Sequence, residues 1–350
     1  MKTPSFDFIG KRRRWAAISV ALLLVSLLSL AVRGLNLSID FVGGTSFRLD
    51  GVTVPDLTAA DLRDAVEGAG VTGASAQVVT EDDIAVAALV RTGAIEPGSA
   101  EDDAIRAALV EVSGADDVQV SFVGPSWGER ISRKALEALV VFLVVVVAYI
   151  SVRLEFKMAV AAVLALAHDV VITVGLYSLV GFSVSPSTVI ALLTILGYSL
   201  YDSVVVFDRV EENVASIGGP GRRTYAETVN LSLNEVLWRS LNTSFTSLIP
   251  VGALLLVGAQ LLGAETLQDL ALALFIGIAI GAYSSIFLAT PFLAWWKEKE
   301  PEYAAMSAKL AERIERGEAP AVEGPGARAS RAPITTEYVR GEGKRRKRRR

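Results

Sequence analysis

Two carboxylates stand where a carboxylate costs free energy. Asp202 lies in LGYSLYDSVVVFDRVEEN and Asp169 lies in ALAHDVVITVG, both within long apolar stretches. Placing an Asp at the centre of a membrane helix costs roughly 2.5–3.5 kcal/mol on insertion scales. A carboxyl taken out of water holds its proton to higher pH, so it can load and unload near neutrality. The chemistry these residues suggest is proton carriage, with Asp169 and Asp202 as relay groups. The competing reading is a pair of satisfied polar contacts that fix helix packing. Enzyme chemistry is disfavoured: the chain has one histidine, His168, and no cysteine. It shows no phosphate loop, no metal cluster and no nucleophile with a base, so neither a metal nor a cofactor is expected. The lack of cysteine also excludes disulfides and suits a bacterial protein.

Helical spacing supplies each carboxylate with candidate support. Thr194, Tyr198 and Asp202 fall on one face, and Arg209 continues it. Asp208 and Arg209 sit at the inner end of that run, where boundary residues are also ordinary. Asp169 lies about 18 Å along a helix from Lys157, near mid-membrane. Thr173 shares its face. His168 points about 100° away, as a packing histidine or a protonatable neighbour of Asp169. Thr243 and Ser247 share a face at the start of a later run and are expected to meet Asp202. Gly277 and Gly281 make a GxxxG helix contact. Glu155 is expected to pair with Arg153 or Lys157.

These groups need membrane helices to hold them. The chain is 52% hydrophobic, its mean hydropathy is +0.45, and a bilayer core of about 30 Å takes roughly 20 helical residues. Six spans are expected, at 15–33, 135–152, 158–182, 186–208, 243–263 and 267–296. Residues 1–14 and 209–242 are then a cytoplasmic tail and a cytoplasmic loop. Residues 11–14, Arg153, Lys157, Arg209, Arg222, Arg223, Arg239 and the final KRRKRRR fall on one side of such a map. Residues 34–128 hold sixteen Asp or Glu against four Arg. Positive flanks stay inside, so both termini are expected in the cytoplasm and residues 34–128 outside a bacterial cytoplasmic membrane. Ser29-Leu30-Ala31 loosely resembles a signal cleavage site, but the apolar run is long and five further runs follow.

The outer segment has a pattern of its own. Residues 41–49 read as a strand interrupted at Gly43-Gly44, where the backbone turns or approaches a neighbour closely. A helix over 57–69 follows, with Thr58 or Asp61 near its start. Strands over 75–80 and 84–91 flank a Glu-Asp-Asp turn. Ser99 caps a helix over 99–112, with Ile105, Leu109 and Val112 inward. A last strand covers 118–123. The order βαββαβ is that of ferredoxin-like domains. The expected fold is thus an α-helical membrane protein of six transmembrane helices with one ferredoxin-like βαββαβ extracytoplasmic domain between helices 1 and 2. Residues 297–350 read as a disordered basic cytoplasmic tail; KRRKRRR suits anionic lipid or ribosomal RNA, with a merely solvated tail as the plainer reading.

Several stretches together carry a resemblance. FDFIGKRR, LNLSIDFVGGTSF, VGPSWGERISRKALEAL, YISVRLEFKMAVAAVLALAHD, LTILGYSLYDSVVVFDRVEEN and TSFTSL resemble the SecF family, one half of the SecD–SecF accessory pair of the bacterial Sec translocon, within the RND superfamily. The likeness runs from Phe6 to about Pro291. Glu211, Trp127 and Phe245 depart from the family pattern. The resemblance implies half of an RND-type bundle that pairs with SecD and associates with the SecYEG channel, together with the ATP-driven motor and a YidC-type insertase. It implies unfolded preprotein and membrane lipids as further partners, and no DNA. It also implies use of the proton gradient in place of a cofactor, to assist late preprotein translocation and release. The residues alone leave open an RND-like small-molecule or lipid exporter, or a scaffold with no proton chemistry.

Overall fold

The computed structural model describes residues 6–81, 84–215, 223–260 and 265–316. A long helix α1 (Arg12–Arg33) leads into a short strand β1 (Asn36–Leu37) and one helical turn α2 (Ile39–Val42). There follow β2 (Gly44–Asp50), α3 (Ala59–Gly68), β3 (Ser75–Glu81), β4 (Ile84–Thr92), α4 (Ala100–Ser113) and β5 (Asp117–Val123). The long helices α5 (Pro125–Arg153) and α6 (Phe156–Val180), a short β6 (Ser183–Val184), and α7 (Pro186–Ala215) and α8 (Tyr225–Gln260) come next. Helix α9 (Glu265–Ser284) passes through a π-helical turn (Ser285–Ala289) into α10 (Thr290–Lys297), and α11 (Pro301–Glu315) ends the described chain.

Strands β2 to β5 form one antiparallel sheet in the order β3-β4-β2-β5, with α3 and α4 as crossovers. Local chemistry sets the helix starts. Thr58 and Asp61 form a reciprocal capping box at α3, and Ser99 accepts the Asp102 N–H at α4. Phe47, Leu49, Leu62, Val66, Val90, Ile105 and Leu109 are fully enclosed between sheet and helices. A single apolar face per element gives this small domain its own core.

The glycine pair departs from the strand expected over 41–49. Ser38 precedes the α2 turn, so Phe41 is helical and the strand begins only at Gly44. Gly43 has φ 76° and Gly44 has φ 135°, both in the region that side chains disfavour. A Cβ on Gly43 would lie 2.7 Å from the Cα of Pro125, and one on Gly44 2.6 Å from the Thr92 carbonyl oxygen. The pair therefore lets the chain turn while the start of α5 and the end of β4 press against it.

Five helical stretches are long and apolar enough to cross a membrane: Arg12–Arg33, Pro125–Arg153, Phe156–Val180, Pro186–Ala215 and Leu267–Lys297. The run expected at 243–263 falls on α8 and continues past Gln260 into residues outside those described. The expected cytoplasmic loop 209–242 is mostly helix: α7 runs on to Ala215 and α8 starts at Tyr225. The tail expected to be disordered from 297 also needs correction. Pro301 at the first helical turn and a run rich in Ala and Glu build α11. Leu310 is buried there and the Tyr303 ring packs 4.5 Å from Tyr225. Residues 317–350, including KRRKRRR, lie outside the described residues.

Small residues bring the long helices together. Gly175 on α6 meets Ser26 on α1, and Ser29 bonds Ser178 at 3.0 Å. Gly277 on α9 sits against Ile195, and a Cβ there would lie 2.1 Å from its Cδ1; one on Gly281 would lie 3.1 Å from the Ser199 Cβ. Both halves of the GxxxG pair therefore face α7. Sheet and bundle are joined where β1 pairs with β6 and Arg91 reaches Asn36 at 3.3 Å and Ser183 at 2.9 Å.

Candidate functional site

Asp169 is enclosed on α6, 1% exposed. Ser199 of α7 donates to its Oδ2 at 2.6 Å and Ser284 of α9 donates to the same atom at 2.8 Å. Its Oδ1 lies 3.1 Å from His168 Nδ1. Consecutive helical residues point about 100° apart, yet the imidazole folds back to its neighbour's carboxyl. Its other face stacks on Tyr283, with ring centroids 6.2 Å apart, and its Nε2 is buried without a hydrogen-bond partner among the described residues. Thr173 shares the face of Asp169 as expected but bonds its backbone carbonyl, at 2.7 Å, and not its carboxyl.

Asp202 is likewise buried, 3% exposed, on α7. Ser240 of α8 donates to its Oδ1 at 2.5 Å, while its Oδ2 is enclosed without a partner among the described residues. Beside it Ser203 donates to Ser285 at 3.2 Å, and Ser285 in turn donates to the Gly281 carbonyl at 2.9 Å. Tyr198 reaches Ser244 at 3.3 Å, one turn of α8 beyond Ser240. Thr194 is exposed and bonds its own helix at Ile190.

The hydroxyls expected to meet Asp202 are not the ones that do. Thr243 bonds the Arg239 carbonyl at 2.9 Å and Ser247 is only half-buried. The face of α8 that meets Asp202 is rotated from theirs and carries Ser240 and Ser244. Nor do Asp208 and Arg209 touch either carboxylate. Arg209 pairs with Glu235 at 2.7 Å and Glu212 at 2.6 Å, and Asp208 pairs with Arg153 at 3.3 Å. Asp208, Arg209, Glu212, Glu235 and Arg239 line a cavity of about 360 Å³ between α7 and α8. Glu155 pairs with neither Arg153 nor Lys157. It meets Lys297, while Lys157 pairs with Glu300 at 2.8 Å.

The serines around the carboxylates went unread in the sequence, because serine is common in membrane helices. Ser199 and Ser203 flank Asp202 at three before and one after, a placement that distributes them between two sites. Ser284 and Ser285 gain their directions from the π turn. There Thr290 bonds the Ser285 carbonyl five residues back at 2.9 Å. Such turns gather at functional sites and leave no mark in residue spacing. The buried hydroxyls supply donors to charge that the bilayer cannot solvate. The assembly can hold a proton at either carboxyl and has no metal-binding group of His, Cys, Asp or Glu among the described residues.

Comparison with known proteins places this arrangement. The family model for the protein export membrane protein SecD/SecF, C-terminal, matches residues 105–299. The SecD/SecF GG motif matches residues 28–50, which contain Gly43 and Gly44. Protein translocase subunit SecF of Streptomyces coelicolor is 42% identical over 317 residues, covering 90% of this chain and 83% of that one. Protein translocase subunit SecF of Mycobacterium tuberculosis is 43% identical over 308 residues, 85% of this chain and 68% of that one. The crystal structure of SecDF, a translocon-associated membrane protein from a Thermus species, superposes with a TM-score of 0.72 at 36% identity. That match covers 85% of this chain and 39% of the SecDF chain. The chain is a membrane protein, and it belongs to the SecF family of protein translocase subunits.

Proposed function

We propose that this chain is a proton-motive-force-driven accessory subunit of the Sec translocon, paired with SecD, that assists late preprotein translocation and release. The observation that carries the reading is the pair of enclosed carboxyls, each supplied with hydroxyl donors from neighbouring helices. In this reading six spans, with α8 supplying the fifth, form half of an RND-type bundle in the bacterial cytoplasmic membrane, with both termini inside. The outer sheet, whose strand order suits a ferredoxin-like domain, faces outward. SecD supplies the other half, as fusion of the two in the Thermus SecDF suggests. SecYEG, the ATP-driven motor and a YidC-type insertase complete the assembly around unfolded preprotein. The driving force is the proton gradient, with no cofactor.

The energetics suit such a role. A proton crossing the potential releases about 2.3 kcal/mol per 100 mV. That is enough to bias two states separated by a few kcal/mol. Protonation at Asp202 Oδ2 neutralises a charge that lacks a second donor. Protonation at Asp169 weakens its hold on Ser199 and Ser284, which belong to α7 and α9. In this reading a shift of α6 against these helices is carried outward by its continuation into β6, which pairs with β1.

Asp169→Asn and Asp202→Asn test the reading, since both keep size and some hydrogen bonding but cannot ionise. Both variants are expected to insert and pair with SecD. Preprotein translocation into vesicles should lose its response to an imposed proton gradient, more severely for Asp169→Asn. A full response in both variants would make these carboxyls packing elements only.

A further inference from the structure

The sequence FDFIG at residues 6–10 takes no part in the carboxyl sites, yet it is bound with unusual specificity. Asn234 accepts the Phe6 N–H at 2.7 Å and donates to the Phe6 carbonyl at 2.9 Å. Asn230, one turn earlier on α8, accepts the N–H groups of Phe8 at 2.8 Å and Ile9 at 3.3 Å, and donates to the Phe6 carbonyl at 3.1 Å. Two side chains at i, i+4 thus satisfy the backbone N–H and C=O groups of a non-helical segment. Asp7 accepts the Gly10 N–H at 2.8 Å, closing the turn into α1. Phe8 and Ile9 are buried, 4% and 5% exposed.

The Phe8 ring begins an aromatic column. It lies 5.6 Å from Phe287, which lies 5.3 Å from Tyr283, which lies 6.2 Å from His168. The last two contacts are stacked, and Trp15 closes on Phe287 at 4.4 Å. The column ends on the imidazole whose Nδ1 meets Asp169 and whose Nε2 has no partner among the described residues. Phe287 also belongs to the π turn, directly beyond Ser284, the donor to Asp169. Displacing the N-terminal segment therefore reaches Asp169 along two contiguous routes.

We propose that residues 6–10, gripped by Asn230 and Asn234, are a positioning clamp for the Asp169 site, acting through Phe8, Phe287, Tyr283 and His168. The inference rests on the proton-relay reading and deepens it by naming positioning residues remote from the carboxyl. A contiguous column is a claim about coupling, and a double-mutant cycle measures coupling.

The test uses the full chain with SecD in membrane vesicles, with and without an imposed proton gradient. Asn230→Ala with Asn234→Ala should lower gradient-stimulated translocation by about three- to tenfold. Gradient-independent translocation and pairing with SecD should be unchanged. Asn230→Asp with Asn234 intact keeps the acceptor for Phe8 and Ile9 and should retain most of the stimulation. Tyr283→Leu should produce a comparable loss, and combining it with the paired alanine change should bring no further loss. Losses that multiply would overturn the column, and a wild-type response of the paired alanine variant would overturn the clamp. If that variant fails to pair with SecD, Phe8→Leu carries the same prediction, because it keeps burial and removes the ring. Asp169→Asn in the same assay separates the two readings: if it responds fully, the relay fails, and if it alone is silent, only the clamp fails.

Discussion

Asp169 and Asp202 are buried to the same degree and held differently. Asp169 takes hydroxyl donors from α7 and α9 and a histidine on its own helix. Asp202 takes one hydroxyl, from α8, and keeps an enclosed oxygen without a partner among the described residues. Asp169 is thus tied by its donors to two neighbouring helices and Asp202 to one. On α7, Asp202 lies three residues before Val205, which lines the cavity with Arg209 and Arg239.

The difference is measurable as stability. Ser199→Ala combined with Ser284→Ala strips Asp169 Oδ2 of both hydroxyl donors. A buried charged group left unsatisfied costs about 1–3 kcal/mol or more per lost donor, so this variant should show the largest drop in thermal stability in detergent. Ser240→Ala removes one donor from Asp202 and should cost less, about 1 kcal/mol, since membrane hydrogen bonds average below that figure. Equal losses from the two changes would erase the contrast between the sites.

A third change separates bundle from outer domain. Asp102 is buried at the start of α4, and its bond from Arg106, backed by the Gly98 N–H, holds its carboxyl below the usual range. A folded-state value below the unfolded one adds stability above about pH 3.9, and that stability is lost as pH falls through the folded value. Asp102→Asn should therefore flatten the acid dependence of unfolding of residues 36–124, with a change smaller than that at Asp169. An unaltered acid profile would remove Asp102 from the account.

Much of this was legible because cost leaves a trace. An aspartate in an apolar run stands out, so Asp169 and Asp202 are found by inspection. Alternating strands and capped helices expose the outer elements, and Ser99 and Thr58 mark helix starts by their chemistry. What stayed hidden depends on rotation and on partners. Thr243 and Ser247 share a face, but Ser240 and Ser244 occupy the one turned toward α7, and a helix's rotation about its axis is set by its neighbours. The π turn that aims Ser284 and Ser285 is a register shift invisible to periodicity. Phe41 reads as strand by its apolar neighbours, yet the positive φ of Gly43 and Gly44 ends a helical turn there. Ala and Glu in 301–315 suit a helix and a solvated tail alike until Leu310 and Tyr303 find a surface.

The central claim is that the two carboxyls change protonation when a gradient is applied. Infrared difference spectroscopy of the chain with SecD in oriented vesicles, with aspartate carbons isotopically labelled, reads this directly. The account predicts a protonated-carboxyl band that appears with the gradient, part of which vanishes in Asp202→Asn and the rest in Asp169→Asn. A gradient that leaves the carboxyl region unchanged in the unaltered protein would contradict it.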